Sequence, residues 1–177
     1  MDAKRLQSLY AATGIEPTPG LGMPVLLLAD AAQLPGLAAT LRDSLGFDML
    51  LDVTAVDWAD RRGGQPRFEV VWHFWSSTAH DRVRVKAPAG VHAEAQAAAG
   101  ACAQPGVPSL VSLYGSAAFM ERECHDMMGI TFGGNADLRP ILLYEGFQGH
   151  PLRKDYDKRH EQPLVRYRDG RPGAAEG

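Results

Sequence analysis

Apolar residues recur at helical spacing in two segments near the start of the chain. Residues 2–13 predict a short helix, which Asp2 can cap and Gly14 can end. Residues 34–45 predict a second helix, and the continuously apolar residues 25–28 between them predict a short buried strand. The periodic positions are Leu6, Leu9 and Tyr10 in the first helix, and Leu34, Leu37, Leu41 and Leu45 in the second.

The middle of the chain changes to the alternating pattern of β-strands. Residues 48–57, 67–75 and 82–86 predict three consecutive strands joined by short links, which favours an antiparallel meander. The third carries alternate basic residues and is therefore expected at an edge. The Ala-rich residues 87–106 predict a weakly packed helix, and residues 109–113 a last strand. In the second strand Phe68, Val70, Trp72 and Phe74 share one side, while Glu69, Val71, His73 and Trp75 share the other.

A third helix is predicted from Ser116, as its cap, to Gly129, in the usual position after a helix C-terminus. Its apolar face is expected to consist of Met120, Cys124, Met127 and Met128, and its polar face of Glu121, Arg122, His125 and Asp126. Glu123 falls on the flank of the apolar face. A carboxylate there is costly unless a cation neutralises it, so we expect Glu123 to be buried and paired with Arg139 or Arg153.

These elements predict an α+β fold, in which helices pack on a mixed, largely antiparallel sheet, followed by an extended C-terminal tail. We place the domain at residues 1–148 and the partner-binding tail at 149–177. From residue 150 onward the chain holds seven Lys/Arg and five Asp/Glu but few large apolar residues, so it cannot build its own core. The tail is therefore expected to become ordered only against partners, and to be cut after Lys154 or Lys158 in the isolated chain.

Composition excludes several classes of protein. The net charge of −3 and pI near 6.0 argue against a nucleic-acid binder, and no apolar run approaches a membrane span. The first residues lack the features of a secretory signal or a transit peptide, which predicts a cytoplasmic, bacterial protein. Two cysteines, Cys102 and Cys124, cannot hold an iron–sulfur cluster by themselves and are expected to be reduced.

The candidates for chemistry are few. Glu121 and His125, four residues apart on one helical face, have a spacing that suits a metal, but no second pair completes a ligand set. Cys124 and His125 are helical neighbours and cannot face each other as a nucleophile and base. No glycine-rich phosphate or dinucleotide loop is present, so neither NADH nor flavin should bind here. The sequence therefore favours an interaction protein without an active site.

Three motifs resemble the C-subunit family of respiratory complex I, the NADH-quinone oxidoreductase. They are ERECHDMMGI at 121–130, DLRPIL at 137–142 and GHPLRKDY at 149–156, and VTAVDW at 53–58 also resembles the family. This sequence departs from the family pattern at His125, Met128, Pro140, residues 135–136 and residues 144–147. These departures leave a related membrane-bound hydrogenase complex open as the alternative assembly.

The resemblance implies a non-catalytic structural subunit of the peripheral arm. The complex would pass electrons from NADH through FMN and iron–sulfur clusters to a quinone such as ubiquinone and translocate protons. The FMN and clusters would belong to partners, chiefly the large quinone-site subunit and the cluster-bearing subunits, on the cytoplasmic side of the bacterial inner membrane. No cofactor is expected in this chain. The resemblance assigns the partner interface to Glu121, Arg122, Glu123, Asp126, Asp137, Arg139, Gly149, His150, Pro151, Leu152, Arg153, Lys154, Asp155 and Tyr156.

Overall fold

A computed structural model describes residues 1–59, 66–90, 105–159 and 161–162. The loop at 61–64, most of the Ala-rich segment at 87–106 with Cys102, and the tail beyond 162 lie outside the described residues. The helices are α1 (Ala3–Thr13), a 3-10 turn (Ala31–Gln33), α2 (Leu34–Asp43) and α3 (Ala117–Met128). The strands are β1 (Val25–Leu27), β2 (Met49–Asp57), β3 (Phe68–Ser76), β4 (Asp81–Pro88), β5 (Gly106–Pro108) and β6 (Thr131–Gly133).

The helix boundaries follow from local capping. The Asp2 carboxylate accepts a hydrogen bond from the Arg5 backbone N–H at 2.8 Å, which satisfies one of the free donors at the start of α1. Gly14 ends α1 in the left-handed conformation, with φ of 70°, and Gly129 ends α3 in the same way. Ser116 occupies the predicted N-cap position of α3, but its hydroxyl makes no capping bond and donates instead to the Leu50 carbonyl of β2.

Four strands form a mixed sheet in the order β1-β4-β3-β2. The β2-β3-β4 meander is antiparallel, as the sequence predicts, and β1 adds a parallel strand outside β4. The prediction of β4 as an edge strand is therefore wrong. Alternate charges at Arg82, Arg84 and Lys86 reveal that one face of the strand is accessible, but they carry no information about which strand pairs with its far edge.

One face of the sheet builds the hydrophobic core. The predicted inward side of β3 is buried throughout: Phe68, Val70, Trp72 and Phe74 are each at most 5% exposed. The buried side chains of α1 and α2 belong to the same core, and α3 lies against β2. The structure thus confirms the α+β fold with a largely antiparallel sheet. In the described part of the chain, no helix is both long and apolar enough to span a bilayer.

The region before α3 differs from the prediction. The strand β5 occupies 106–108 and pairs in parallel with β6, a pairing that the sequence pattern does not predict. The strand predicted at 109–113 is wrong, because the chain turns there: the Leu113 and Tyr114 N–H groups both donate to the Leu110 carbonyl. The Ser109 hydroxyl accepts from the Val111 N–H at 3.1 Å, a local bond that competes with strand pairing.

Candidate functional site

The first glutamate of the ERE motif is buried in the protein. Glu121 is 0% exposed, and its carboxylate accepts hydrogen bonds from the Leu110 N–H (2.8 Å), the Ser109 hydroxyl (2.7 Å) and the Asn135 side-chain amide (2.9 Å). Burial raises the pKa of Glu121, and the three hydrogen bonds oppose that rise. This carboxylate therefore ties α3 to the segments that flank β5 and β6.

Glu123, which the sequence predicts to be buried beside an arginine, is exposed instead. Neither predicted arginine pairs with it: Arg139 forms an ion pair with Asp137 at 2.7 Å, and Arg153 donates to backbone carbonyls. The reason is which side of α3 faces the rest of the protein. The turn at Ser109 and Leu110 and the residues around Asn135 cover the side of α3 that carries Glu121, which turns Glu123 outward.

Asp126 and Arg122, one turn apart on α3, fix the DLRPIL loop. The buried Asp126 carboxylate accepts from three successive backbone N–H groups, those of residues 141, 142 and 143, at 2.9 to 3.1 Å. Arg122 donates to the carbonyls of Arg139 (2.9 Å) and Pro140 (3.0 Å). The polar face of α3 is thus largely covered by chain that runs over it. Asp137, which pairs with Arg139, has its pKa lowered by that guanidinium.

The GHPLRKDY segment docks on the C-terminal end of α3. His150 Nδ1 lies 2.9 Å from the Asp126 carbonyl oxygen, and the Arg153 guanidinium donates to the carbonyls of Met128 and Gly129 at 2.6 and 3.1 Å. These carbonyls are among the unpaired acceptors of a helix end, where a cation is also favoured by the helix dipole. A Cβ at Gly129 would collide with the ends of the Arg153 and His150 side chains, so their docking leaves room only for glycine there.

A second attachment joins this segment to the end of β2. The Asp57 carboxylate accepts from Arg67 Nε and Nη2 at 2.9 and 2.7 Å, and from the Lys154 backbone N–H at 2.9 Å. Arg67 also bonds Asp155. The hydrogen bond and charge of Arg67, with the backbone donors, hold the pKa of Asp57 at about 2 despite its burial. The VTAVDW motif and the GHPLRKDY motif are therefore two halves of one contact.

The described start of the tail consequently rests on its own domain. Tyr156 packs against Gly149 and stacks on Phe147, with ring centroids 6.2 Å apart. The expectation that the chain from Gly149 is ordered only against partners is wrong for residues 149–156, because buried acceptors of the domain bind it. The domain boundary at 148 and 149 and the partner-binding role of the tail stay predictions.

Of the predicted interface residues, most contact this chain itself. Glu121, Asp126, His150 and Arg153 make internal hydrogen bonds, and the backbone of Lys154 does so too. Glu123, Arg139, Gly149, Leu152, Lys154 and Asp155 are exposed, whereas Arg122, Asp137, His150, Pro151, Arg153 and Tyr156 are half-buried.

Sequence reasoning missed three residues that hold the motifs. Ser109, Asn135 and Arg67 satisfy the motif carboxylates, although none is among the predicted interface residues. Asn135 had a local signal, since it follows Gly133-Gly134 and forms a turn in which its side-chain oxygen accepts from the Asp137 N–H. Arg67 had none, because its pairing with Asp57 depends on the register of two strands.

The Glu121 and His125 side chains are both engaged within the chain. Glu121 is engaged by its three donors, and His125 Nδ1 lies 2.8 Å from the Ile130 carbonyl oxygen. In the described ranges, no group of three or more His, Cys, Asp or Glu side chains is placed to hold a metal ion. Cys124 is a free, buried thiol, and burial raises its pKa to about 12, so it is a poor nucleophile.

Comparison with known proteins matches residues 27–162 to the family described as respiratory-chain NADH dehydrogenase, 30 Kd subunit. The chain belongs to this family. It is 47% identical to the NADH-quinone oxidoreductase C subunit of Rhodobacter capsulatus, over 66% of this chain and 52% of that protein. It is 37% identical to the corresponding C subunit of Moorella thermoacetica, over 86% of this chain and 91% of that protein. The chain thus spans about half the length of the Rhodobacter relative and nearly all of the Moorella one.

Two solved structures share the fold. The trypsin-resistant fragment (1-134) of Nqo5 superposes with a TM-score of 0.57 and 28% identity, over 78% of this chain and all of that fragment. A chain of an archaeal membrane-bound sulfane sulfur reductase superposes with a TM-score of 0.68 at 20% identity, over 88% of this chain and 85% of that chain. At that identity the second likeness shows the fold alone.

Proposed function

We propose that this chain is a non-catalytic structural subunit of the peripheral arm of NADH-quinone oxidoreductase. The single observation that carries the proposal is the family match over residues 27–162, which includes every motif described above. The relatives that are named as C subunits of NADH-quinone oxidoreductase support the same assembly. Electron transfer from NADH to quinone, with proton translocation, is then the activity of the complex that this chain helps to build.

The hydrogen bonds of the motif side chains support the structural role. A catalytic acid or base must reach substrate, yet Glu121 and Asp126 engage their oxygens with backbone and side-chain donors of this chain. Arg153 and His150 likewise contact carbonyls at the end of α3. Groups so engaged position loops. We therefore assign FMN and the iron–sulfur clusters to partner subunits, among them the large quinone-site subunit, on the cytoplasmic side of the inner membrane.

The test uses the native assembly. A strain that lacks the chain is complemented with an affinity-tagged copy, and detergent-solubilised membranes are purified through the tag. We expect the NADH-binding and cluster-bearing subunits to co-purify and NADH-quinone reductase activity to be restored. The purified chain alone should be colourless, metal-free and unable to oxidise NADH. Co-purification with subunits of a hydrogenase instead, or stoichiometric flavin or metal in the isolated chain, would overturn the proposal.

A further inference from the structure

Three large apolar side chains on α3 and on the segments docked against it are exposed. Phe119, Leu142 and Leu152 are each about 60% exposed, at 62%, 60% and 59%, and Ile141 is 39% exposed. A soluble surface tolerates single exposed apolar residues, but a contiguous group of large ones marks an interaction site. Ile141, Leu142, Leu152 and Glu123 belong to the family motifs, and Phe119 lies two residues before the first of them; the fold itself does not use these side chains.

Phe119 and the loop with Ile141 and Leu142 lie on the outward side of α3, and Leu152 lies beside its C-terminal end. Phe119 and Glu123 are four residues apart and share the outward face of α3. One turn further on, Asp126 holds the loop that carries Ile141 and Leu142. Adjacent to it, the Met127 carbonyl accepts from the Leu152 N–H at 3.1 Å. At about 1.5 Å per residue, Phe119 to Met127 covers roughly 12 Å of helix. We call this set of five, Phe119, Glu123, Ile141, Leu142 and Leu152, the α3 ridge.

The ridge is held rigid by buried polar groups. Three N–H bonds to the Asp126 carboxylate and two from Arg122 to carbonyls fix the backbone beneath Ile141 and Leu142. Leu152 lies between the anchored His150 and Arg153. A preorganised apolar surface loses little conformational entropy when it binds, which is the property that tight interfaces use. The internal hydrogen bonds of the motifs thus present the ridge outward.

Glu123 defines the chemistry of the partner. Within the described residues, no ion pair or hydrogen bond joins its carboxylate to another group. A partner that covers Phe119 and Leu142 would also desolvate this carboxylate, which is costly unless a cation faces it. A complementary surface therefore carries apolar pockets for the ridge and an arginine or lysine opposite Glu123. Arginine suits the position best, because its planar guanidinium binds a carboxylate through two hydrogen bonds.

We infer that the α3 ridge is the docking surface for a neighbouring subunit that presents apolar pockets around a basic side chain. The inference rests on the proposed function. It makes that function more specific, because it assigns the contact with the partner to these five residues instead of to all the motif residues. Their remaining motif neighbours act by holding the ridge in place. Aromatic and aliphatic anchors at the centre of an interface usually carry most of its binding energy.

The test compares ridge variants with matched controls in the complemented strain. Leu142→Asp and Glu123→Lys alter the ridge, while Leu21→Asp and Glu16→Lys make the same changes at exposed positions outside it. We expect the ridge variants to reduce co-purification of partner subunits by about tenfold or more, and the controls to leave it unchanged. The isolated variants should keep the unfolding midpoint of the parent chain. If both ridge variants are folded and still co-purify with the partner subunits as the parent chain does, the inference is wrong.

A photo-crosslinking experiment identifies the molecule that covers the α3 ridge. Phe119 is replaced by p-benzoylphenylalanine in the tagged chain, and the adduct formed in the purified complex is identified by mass spectrometry. A crosslink to another subunit supports the inference. A crosslink to residues 163–177 of the same chain, to a second copy of it, or to nothing overturns it. If the parent chain does not co-purify with other subunits of complex I, the proposed function itself fails, which is a distinct result.

Discussion

The carboxylate of Asp57 accepts a hydrogen bond at 2.9 Å from the backbone N–H of Lys154, which lies 97 residues further along the chain. Asp57 ends β2, and Lys154 belongs to the GHPLRKDY segment, so this bond ties the C-terminal part of the described chain to the edge of the sheet. The same carboxylate is bound by Arg67, whose other partner is Asp155. One buried acid thus links a strand end, the start of β3 and the docked segment.

Replacing Asp57 by Asn should destabilise the chain in a pH-dependent way. The folded-state pKa of Asp57 is lowered from 3.8 to about 2, so its ionisation stabilises the fold by about 2 kcal/mol above pH 4, and this contribution disappears as the pH falls through the folded value. Denaturant unfolding should therefore show parent and Asp57→Asn chains differing by about 2 kcal/mol at pH 7 and by about half of that at pH 3.

Asp43→Asn is the control for this pH dependence. Asp43 pairs with Arg42 on the surface, where solvent screens the interaction, so its removal should leave the unfolding midpoint unchanged. A stability difference between the parent and Asp57→Asn that stays constant from pH 7 to pH 3 would show that Asp57 acts through packing and not through its charge.

Gly129 and Gly14 form a matched pair of helix-ending glycines. Both have φ near 70°, but a Cβ at Gly14 meets nothing within 4 Å, whereas one at Gly129 would collide with Arg153 and His150. Gly14→Ala should cost about 1 kcal/mol, the strain of a left-handed alanine. Gly129→Ala should cost about 3 kcal/mol, because it adds overpacking to the same strain. Equal losses for the two variants in denaturant unfolding would mean that His150 and Arg153 are not docked at the helix end.

The two glutamates of the ERE motif should respond differently to truncation. Glu121→Ala leaves the buried Leu110 N–H and the Asn135 amide without their acceptor and opens a cavity, so we expect a loss of about 3 kcal/mol. Glu123→Ala should change the stability of the isolated chain by no more than about 0.5 kcal/mol, as for other exposed positions. The measurement is thermal or denaturant unfolding of the two variants. A larger loss for Glu123→Ala than for Glu121→Ala would mean that Glu123, and not Glu121, is the buried residue.

Glu121→Gln keeps the shape of the buried side chain and removes its charge. Because burial raises the folded pKa of Glu121, the parent chain benefits from this group at low pH and loses that benefit as the pH rises through the folded value. The Gln variant should therefore gain stability relative to the parent as the pH rises. The opposite trend would indicate that the ionised carboxylate is the favoured form.

The helix α3 shows how far a periodic pattern predicts structure. Its limits, its C-terminal glycine and the burial of Cys124 and Met128 follow from helical periodicity. The same periodicity places Glu121 outside and Glu123 inside, because it assumes that only apolar side chains face the protein. Glu121 is buried because three donors distant from it in sequence converge on it, and a periodic pattern cannot reveal such partners.

The sheet shows a similar limit. The strands β2, β3 and β4 and the inward side of β3 could be predicted, since alternation is a property of each strand alone. The parallel pairing of β1 with β4 could not, because it joins segments separated by two helices and two strands. The docking of residues 149–156 could not be predicted for the same reason. Its composition suggests a solvated tail, but the acceptors that bind it are the end of α3 and Asp57.

The last prediction concerns the order of tryptic cleavage in the docked segment of the isolated chain. A protease needs several residues of extended, accessible backbone, so cleavage rates follow local opening. Arg153 and Lys154 are held by hydrogen bonds to Met128, Gly129 and Asp57, whereas Lys158 and Arg159 are exposed and lie beyond the Tyr156 anchor. Trypsin should therefore yield a lasting fragment that ends at residue 158 or 159, with no early product ending at 153 or 154. In the Asp57→Asn chain, cleavage after Lys154 should accelerate, while Asp43→Asn should not change it. Mass spectrometry of a digestion time course reads both results, and prompt cleavage after Lys154 in the parent chain would contradict the docking.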